Sequence, residues 1–493
     1  MKLRQFISIS VLALAAVVLP QLESSASQQS AQPNIVLIIA DDMSWMDCGC
    51  YGNQWIETAN IDTLSNQGVR FTDAYATPVC ASTRACLQTG LYPARLQMTG
   101  VPNGHRRPWA KLIVPKIRWY LPEDNITLAE SLAKAGYISG LFGKWHLGFQ
   151  APHSPTNQGY TVPEGRDQQT TYMSKTQAFI QENPYKRIDE HFQQGIRFIE
   201  QNKDHPFFCV FSFTMVHTPP MARKELVEKY RNKLGEMTSR IDPTYSAMCE
   251  TVDESVGLIN MVLDEFGLTE NTVLIFYSDN GGVVNEEGYL GWGTLEPVGY
   301  ESNVTVNLPL RDEKGSVYEG GIRVPLIIRW PGTVQPGSEC RTPVHCVDFF
   351  PTLLELSGVG EPANQALDGE SIVPLLKGSD SLQRDTLFWH YPHYHHSSPA
   401  SAIREGDYKL IKFYEDNHVE LYDLKNDISE QNNLSETMPE KTEALYQKLN
   451  RWLESVNAAM PTPNPDYDPN REQRWGARFH RELVREKYME LGL

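Results

Sequence analysis

At 493 residues the chain is too long for one small domain and long enough for a large core plus a second unit. A formal charge of −17 excludes the basic face that a nucleic-acid binder needs, so an anionic ligand must be met by a local basic pocket. Apolar, charged and aromatic contents are those of an ordinary globular protein, which excludes a disordered or collagen-like chain.

Residues 1–26 read as an export signal: Lys2 and Arg4, an apolar Phe6–Leu19, then the small residues Ser24, Ser25 and Ala26. The apolar run is short for a bilayer, and no later segment is expected to span one. The mature protein is expected to be periplasmic, secreted or lumenal. Eight cysteines in an exported chain invite disulfides, with Cys340 and Cys346 close enough to pair across a short loop. No C-x-x-C pair suggests zinc.

Asn34–Ala40, NIVLIIA, is a continuous β-branched apolar run and predicts a buried central strand. It ends in Asp41-Asp42. Adjacent carboxylates at a buried strand end repel unless a cation or bases sit there, and strand C-termini are where open α/β sheets place ligands; an exposed acidic turn is the alternative. Ala59–Gly68 predicts a short helix and Val69–Ala76 a strand. Cys80–Gly90, CASTRACLQTG, then predicts a helix with Cys80 at its start and Arg84 one turn on. The unpaired N–H groups there make an electropositive niche for a nucleophile facing an anion, although a buried structural thiol fits that stretch equally.

His105–Lys111, HRRPWAK, predicts a loop, either simply solvated or offering Trp109 as a stacking surface for an extended anionic substrate. Thr127–Glu130 is a capping box and Tyr137–Phe142 a strand running into Gly143-Lys144-Trp145-His146. In extended backbone Lys144 and His146 point the same way, which suits a sulfate or phosphate group. Phe207–Met215 predicts a strand ending near His217, Tyr245–Phe266 an amphipathic helix, and Thr272–Ser278 a strand ending in Asp279-Asn280-Gly281-Gly282. Leu308–Pro325 adds Lys314 in a polar loop; Leu326–Trp330 predicts a strand and Phe349–Leu356 a helix. In Phe388–His396 the four histidines suggest zinc, a substrate-contacting rim or a packed His–Tyr edge. Ala402–Arg404, Tyr408–Tyr414 and Glu420–Leu424 predict strands and Thr442–Val456 a closing helix.

The fold class is therefore α/β: a large mixed, mostly parallel sheet sandwiched by helices, with a smaller C-terminal α+β subdomain of antiparallel sheet plus helix. The expected division is 33–380, 381–460, and a Pro-rich, charged tail over 461–493. Four strand ends carry Asp41/Asp42, Lys144/His146, His217 and Asp279/Asn280. One site with a hard cation explains that collection; a structural protein has no reason for it.

In their order, NIVLIIADD, CASTRACLQTG, GYISGLFGKWHLG, VHTPP, YSDNGG, LPLRDEKGSVYEGGIRVP, DGESIVPLL and AIREGDYKLI with ELYDLKND resemble the type I sulfatases of the alkaline phosphatase superfamily, over Asn34 to Val456. The resemblance implies a sulfuric ester hydrolase in which a maturation enzyme oxidises Cys80 to formylglycine. One hydroxyl of the aldehyde hydrate attacks sulfur and leaves a sulfated enzyme; the second expels sulfate. It implies one calcium ion held by Asp41, Asp42, Asp279, Asn280 and the oxygen derived from Cys80. It gives Arg84 the task of holding the hydrate, Lys144, His146 and Lys314 that of gripping sulfate, and His217 with Lys314 that of protonating the leaving alcohol. Ser82 and Thr83 depart from the family's usual Pro/Ala and Ser. The expected substrate is a sulfated small molecule or glycan. A phosphonate or phosphodiester hydrolase, or a non-catalytic binder of sulfated glycans, are the competing readings.

Overall fold

The computed structural model describes residues 32–101, 108–161, 188–218, 220–235, 241–284, 289–290, 297–298 and 304–470. The export signal, His105–Arg107 and the charged tail beyond 470 lie outside them. Seven strands form the main sheet: β1 (Asn34–Ala40), β2 (Val69–Phe71), β3 (Ile138–Gly143), β4 (Phe207–Ser212), β5 (Thr272–Ser278), β6 (Leu326–Arg329) and β7 (Ser338–Cys340). Their order is β7-β2-β6-β5-β1-β4-β3, and β6 alone among them runs antiparallel to its neighbours. β1 lies between β4 and β5, with Ile35 opposite Phe208 and Val273. A strand walled in by two parallel neighbours and covered on both faces has no polar side, hence the unbroken NIVLIIA.

Ile35, Leu37 and Ile39 point into one core layer, with residues of helices α2 (Cys80–Thr89), α3 (Leu128–Ala133) and α7 (Phe349–Ser357). Val36, Ile38 and Ala40 point into the opposite layer, against α1 (Ala59–Gln67), α4 (Ile188–Asn202) and α6 (Pro243–Glu265). A further helix, α5 (Lys224–Leu234), packs on α6 through Leu226, Tyr230 and Leu234. α6 opens with Asp242 accepting from the Thr244 and Tyr245 backbone N–H groups, a cap followed by Pro243 at the first helical position.

A second sheet, β8 (Thr386–Tyr391), β9 (Ala400–Glu405), β10 (Tyr408–Phe413) and β11 (Val419–Asp423), is antiparallel in sequence order. Helix α8 (Pro439–Ser455) covers one face through Leu445, Leu449 and Leu453 on Ile403, Leu410 and Leu421. The other face packs Trp389, Ala402 and Ile411 against Tyr75, Val79 and Ile322. A fully buried charge cluster ties the two sheets together. Lys409 Nζ donates to Glu319 Oε1 and Glu430 Oε1, each at 2.8 Å, and Glu319 also accepts from Arg323 Nε at 2.6 Å and Tyr75 at 2.7 Å. Burial, reinforced by Glu319, pushes the Glu430 carboxyl up to about 7, whereas Lys409, Arg323 and Arg404 overcome burial at Glu319 and hold it below the carboxylate range.

Several expectations need correction. Val69–Ala76 is two strands, because Thr72-Asp73 breaks the run and Ala74–Tyr75 pairs with Val344–His345 instead of the main sheet. Those same residues carry Cys346 into the core, where its thiol meets His345 and Cys86, so it does not pair with Cys340; all eight cysteines are free. Trp109 is 4% exposed and offers no stacking surface. β8 occupies the first part of the aromatic–histidine segment. Its histidines are spent on protein partners: His390 on Ser401 and the Ala459 carbonyl, His393 on Thr99, and His396 on the Lys314 carbonyl. That is a packed edge with no zinc cluster among the described residues.

Candidate active site

The C-terminal ends of β1, β3, β4 and β5 open onto α2, whose first residue is Cys80. Cys80 is 1% exposed, and the whole of α2 is buried. Lys144 Nζ lies 3.2 Å and His146 Nδ1 3.3 Å from Cys80 Sγ. The two reach the thiol by a turn rather than by extended alternation: Gly143 has φ 117° and His146 φ 64°. A Cβ on Gly143 would stand 1.9 Å from the Ser212 carbonyl oxygen, so only glycine lets β3 lie this close to β4 before it turns.

Arg84, one turn into α2, reaches under the strand ends. Its Nε and Nη2 donate to Asp279 Oδ2 at 3.0 and 2.6 Å, and its Nη1 donates to the Lys144 carbonyl at 2.8 Å and to Ser212 Oγ. Ser212 Oγ donates in turn to the Lys144 carbonyl at 2.6 Å. Ser212 was not singled out in the sequence; it is the last residue of β4, and strand ends were the signal to follow.

Asp41 and Asp42 follow β1, with Asp42 in the left-handed region at φ 68°. Lys144 Nζ donates to Asp41 Oδ2 at 2.5 Å. Asp42 accepts from Lys314 Nζ at 2.8 Å and from Asn280 Nδ2 at 2.7 Å, and its backbone N–H donates to Asp279 Oδ1 at 3.2 Å. His217 donates from Nδ1 to the Thr218 carbonyl at 2.6 Å, which turns Nε2 toward Asp42 Oδ2 at 3.7 Å. Lys314 is fixed through its backbone: its N–H donates to Gly282 O at 3.2 Å and its carbonyl accepts from His396 at 2.9 Å. Asn307 supports the same loop by bridging Gly282 and the Asp312 carbonyl. Asn307 stands at no strand end, so no pattern pointed to it, whereas His396 belongs to the aromatic–histidine segment and serves here by fixing the Lys314 carbonyl.

All the residues proposed from sequence for this site thus converge: Asp41, Asp42, Cys80, Arg84, Lys144, His146, His217, Asp279, Asn280 and Lys314. The electrostatics are those of an acid cluster crossed by bases. Burial pushes the Asp41 carboxyl up, but Lys144 foremost, with His217, Arg84 and Lys314, outweighs it and holds it below the carboxylate range. Burial likewise opposes ionisation of Asp42, and His217 and Lys314 reverse it. Burial and the charge on Asp41 push Asp279 up to about 8, against the pull of Arg84. Burial, then the cations Lys144 and Arg84, bring His146 down to about 3; burial foremost brings His217 down to about 4. Both imidazoles are therefore neutral at neutral pH.

This donor set fits a hard cation. Asp41 Oδ1 and Asn280 Oδ1 are buried without a hydrogen-bond partner, which a structure seldom tolerates. Ligand atoms of Asp41, Cys80 and Asp279, and of Asp41, Asp42 and His217, lie within 4.8 Å of one another. Hard oxygens in that number suit calcium, and a divalent charge would let all three carboxylates ionise. A surface concavity of about 1460 Å³, with Arg329, Pro331 and Leu376 in its lining, lies at the opposite sheet end and holds none of these residues.

Comparison with known proteins bears on this geometry. A family model described as Sulfatase matches residues 33–359, and one described as N-sulphoglucosamine sulphohydrolase, C-terminal matches 312–459. A sulfatase of Formosa agariphila is 33% identical, covering 89% of this chain and 92% of its own length. An N-acetylgalactosamine-6-O-sulfatase of Bacteroides thetaiotaomicron is 28% identical over 88% of this chain and 95% of its own. The solved structure of Ps i-CgsB in complex with k-i-k-neocarrahexaose superposes with a TM-score of 0.69 at 26% identity, covering 92% of this chain and 99% of that one.

Proposed function

The chain belongs to the sulfatase family, and from that membership we propose that it removes sulfate from a sulfated carbohydrate in an exported compartment, residues 1–26 being the export signal. The observation that carries the chemistry is the convergence of Lys144 Nζ and His146 Nδ1 on Cys80 Sγ beside two buried oxygens without partners, Asp41 Oδ1 and Asn280 Oδ1. The carbohydrate class is supported by the relatives, one named for a sulfated hexosamine and one solved with a neocarrahexaose.

In this reading Cys80 is the precursor of formylglycine, formed by a separate maturation enzyme; as a hydrate that group supplies the oxygen nucleophile that a thiol lacks. Asp41, Asp42, Asp279 and Asn280 would hold one calcium ion, which supplies positive charge facing the sulfate oxygens. Arg84 fixes the floor: tied to Asp279, Ser212 and the Lys144 carbonyl, it keeps the start of α2 registered on the strand ends. Lys144, which is 16% exposed, sits at the mouth with its ammonium on both Asp41 and the nucleophile position, placed to grip a sulfate oxygen. Neutral His146 offers Nδ1 at the nucleophile as a proton acceptor or a sulfate contact. His217 is 27% exposed and keeps its Nε2 toward the cleft. An arriving sulfate raises its proton affinity, so His217, with the Lys314 ammonium beside Asp42, delivers the proton to the leaving alcohol.

Mass spectrometry of the peptide spanning Cys80, with sulfate release measured on sulfated oligosaccharides, tests this. The aldehyde mass and inorganic sulfate are expected. An unmodified thiol in turning-over protein refutes the nucleophile; intact sulfate esters throughout refute the function.

A further inference from the structure

Beyond Lys144 and His146 the chain presents aromatic side chains to solvent that no part of the chemistry uses. Phe149 is 77% exposed, Trp119 49% and Tyr120 45%. Such rings are seldom left grouped in water without a partner. Their segments meet here: the Tyr120 ring stacks on His153 at 4.0 Å, Tyr120 Cβ lies 3.1 Å from where a Cβ on Gly148, the neighbour of Phe149, would stand, and Trp119 is the chain neighbour of Tyr120. The backbone holding them is braced. The Leu121 N–H donates to the Leu147 carbonyl at 2.9 Å, and Trp145 Nε1 donates to the His153 carbonyl at 3.0 Å. The platform is thus hydrogen-bonded to the residue between Lys144 and His146.

Its reach and charge say what it receives. Phe149 is three residues past His146, a backbone span of at most about 10 Å, and His146 itself touches the thiol, so the platform lies within a few sugar units of the nucleophile position. Lys116 and Arg118 are exposed on the same segment as Trp119 and Tyr120, a basic strip on a chain of charge −17. Aromatic faces beside cations match the apolar C–H faces and anionic substituents of a sulfated oligosaccharide.

We infer that Trp119, Tyr120 and Phe149, with Lys116 and Arg118, form a platform for the sugar rings flanking the sulfated unit, making the enzyme selective for oligosaccharides over isolated sulfate esters. This rests on the sulfated-carbohydrate reading above.

The test uses full-length matured protein, Trp119→Ala/Phe149→Ala, and two substrates: a sulfated hexasaccharide cleaved by the wild type, and an aryl sulfate. The ratio of their kcat/KM values is expected to fall about tenfold or more, chiefly through the KM of the hexasaccharide. Lys116→Ala/Arg118→Ala should lower the same ratio and flatten its salt dependence. A ratio within about twofold of wild type in both variants overturns the platform, and so does an unchanged ratio with conversion of a dimer to a monomer, which would make these rings a self-association face. Binding of the hexasaccharide to Cys80→Ser protein, by calorimetry, is an arm independent of turnover. Loss of binding with the aromatic substitutions supports the platform even if no sulfate ester is cleaved, whereas wild-type turnover with unaltered binding refutes the platform and leaves the sulfatase reading intact.

Discussion

Replacing Lys409 by Met removes the only cation that touches both Glu319 and Glu430 among the described residues. Methionine fills much of the same volume, so the loss is one of charge. Glu319 retains Arg323 at 2.6 Å and Tyr75 at 2.7 Å. Glu430 retains only the Glu319 backbone N–H at 2.7 Å for its other oxygen, in a site with no exposure. Breaking a buried pair by removing one partner costs about 3–5 kcal/mol. The second substitution discriminates: Glu430→Gln in the Lys409→Met background removes the stranded carboxyl, and should return roughly half of that loss. Equilibrium denaturation in urea of all four proteins, followed by tryptophan fluorescence and far-UV circular dichroism, gives the cycle. The reasoning is refuted if Lys409→Met lies within about 1 kcal/mol of wild type, or if the double variant is no more stable than the single.

Glu430 also makes a pH prediction. A carboxyl raised from 4.5 to about 7 stabilises the fold fully below pH 4.5, and that contribution is lost as pH climbs to about 7. Glu430→Gln should therefore flatten the fall in melting temperature between those limits; an unchanged slope contradicts the assignment. Ser212→Ala deletes the hydroxyl linking Arg84 to the Lys144 carbonyl but leaves the direct 2.8 Å bond. A stability loss of about 1–2 kcal/mol with a larger fall in kcat than in KM is expected, checked by steady-state kinetics on a sulfate ester. Gly143→Ala forces a Cβ toward the Ser212 carbonyl at a backbone φ of 117°, and should misplace Lys144 and abolish turnover, with a melting transition lowered by scanning calorimetry. Chelation followed by graded calcium should lower and then restore the unfolding free energy, by about 2.7 kcal/mol at a hundredfold excess over Kd, with the melting temperature following; magnesium, which wants a tighter octahedron, should restore less.

What could be read beforehand follows a physical line. β1 and β5 were legible because central parallel strands must be apolar throughout, and a polar residue at their ends is conspicuous. The ligand-type residues at those ends were legible for the same reason. The path of Lys144 and His146 was not, because convergence depends on left-handed backbone at Gly143 and His146, which no side-chain period reports. Ser212 looked like an ordinary strand residue, since its importance comes from Arg84, 128 positions away. β8 was hidden because the aromatic–histidine segment read as an edge or rim and not as a strand, while the partners of His390 and His393 lay in β9 and in the segments around Thr99 and Ala459. Cysteine pairing depended on which residues Val344–His345 pair with, a long-range choice.

The burial of α2 has a consequence for timing. Cys80, Ser82, Thr83 and Arg84 are at most 4% exposed, with Ser82 Oγ donating to the Met98 carbonyl at 2.7 Å and Thr83 bonded to Thr77. A maturation enzyme that reads those side chains cannot do so on the finished fold, because the letters face inward. In the proposed reading, modification and folding therefore compete for the same few residues of the emerging chain. The winner is decided once per molecule: a chain that closes before its thiol is converted is well folded and permanently idle. Yield of active protein should then follow the supply of maturation enzyme during synthesis, not afterward. Slowing translation downstream of residue 90 should raise the converted fraction without altering a single side chain.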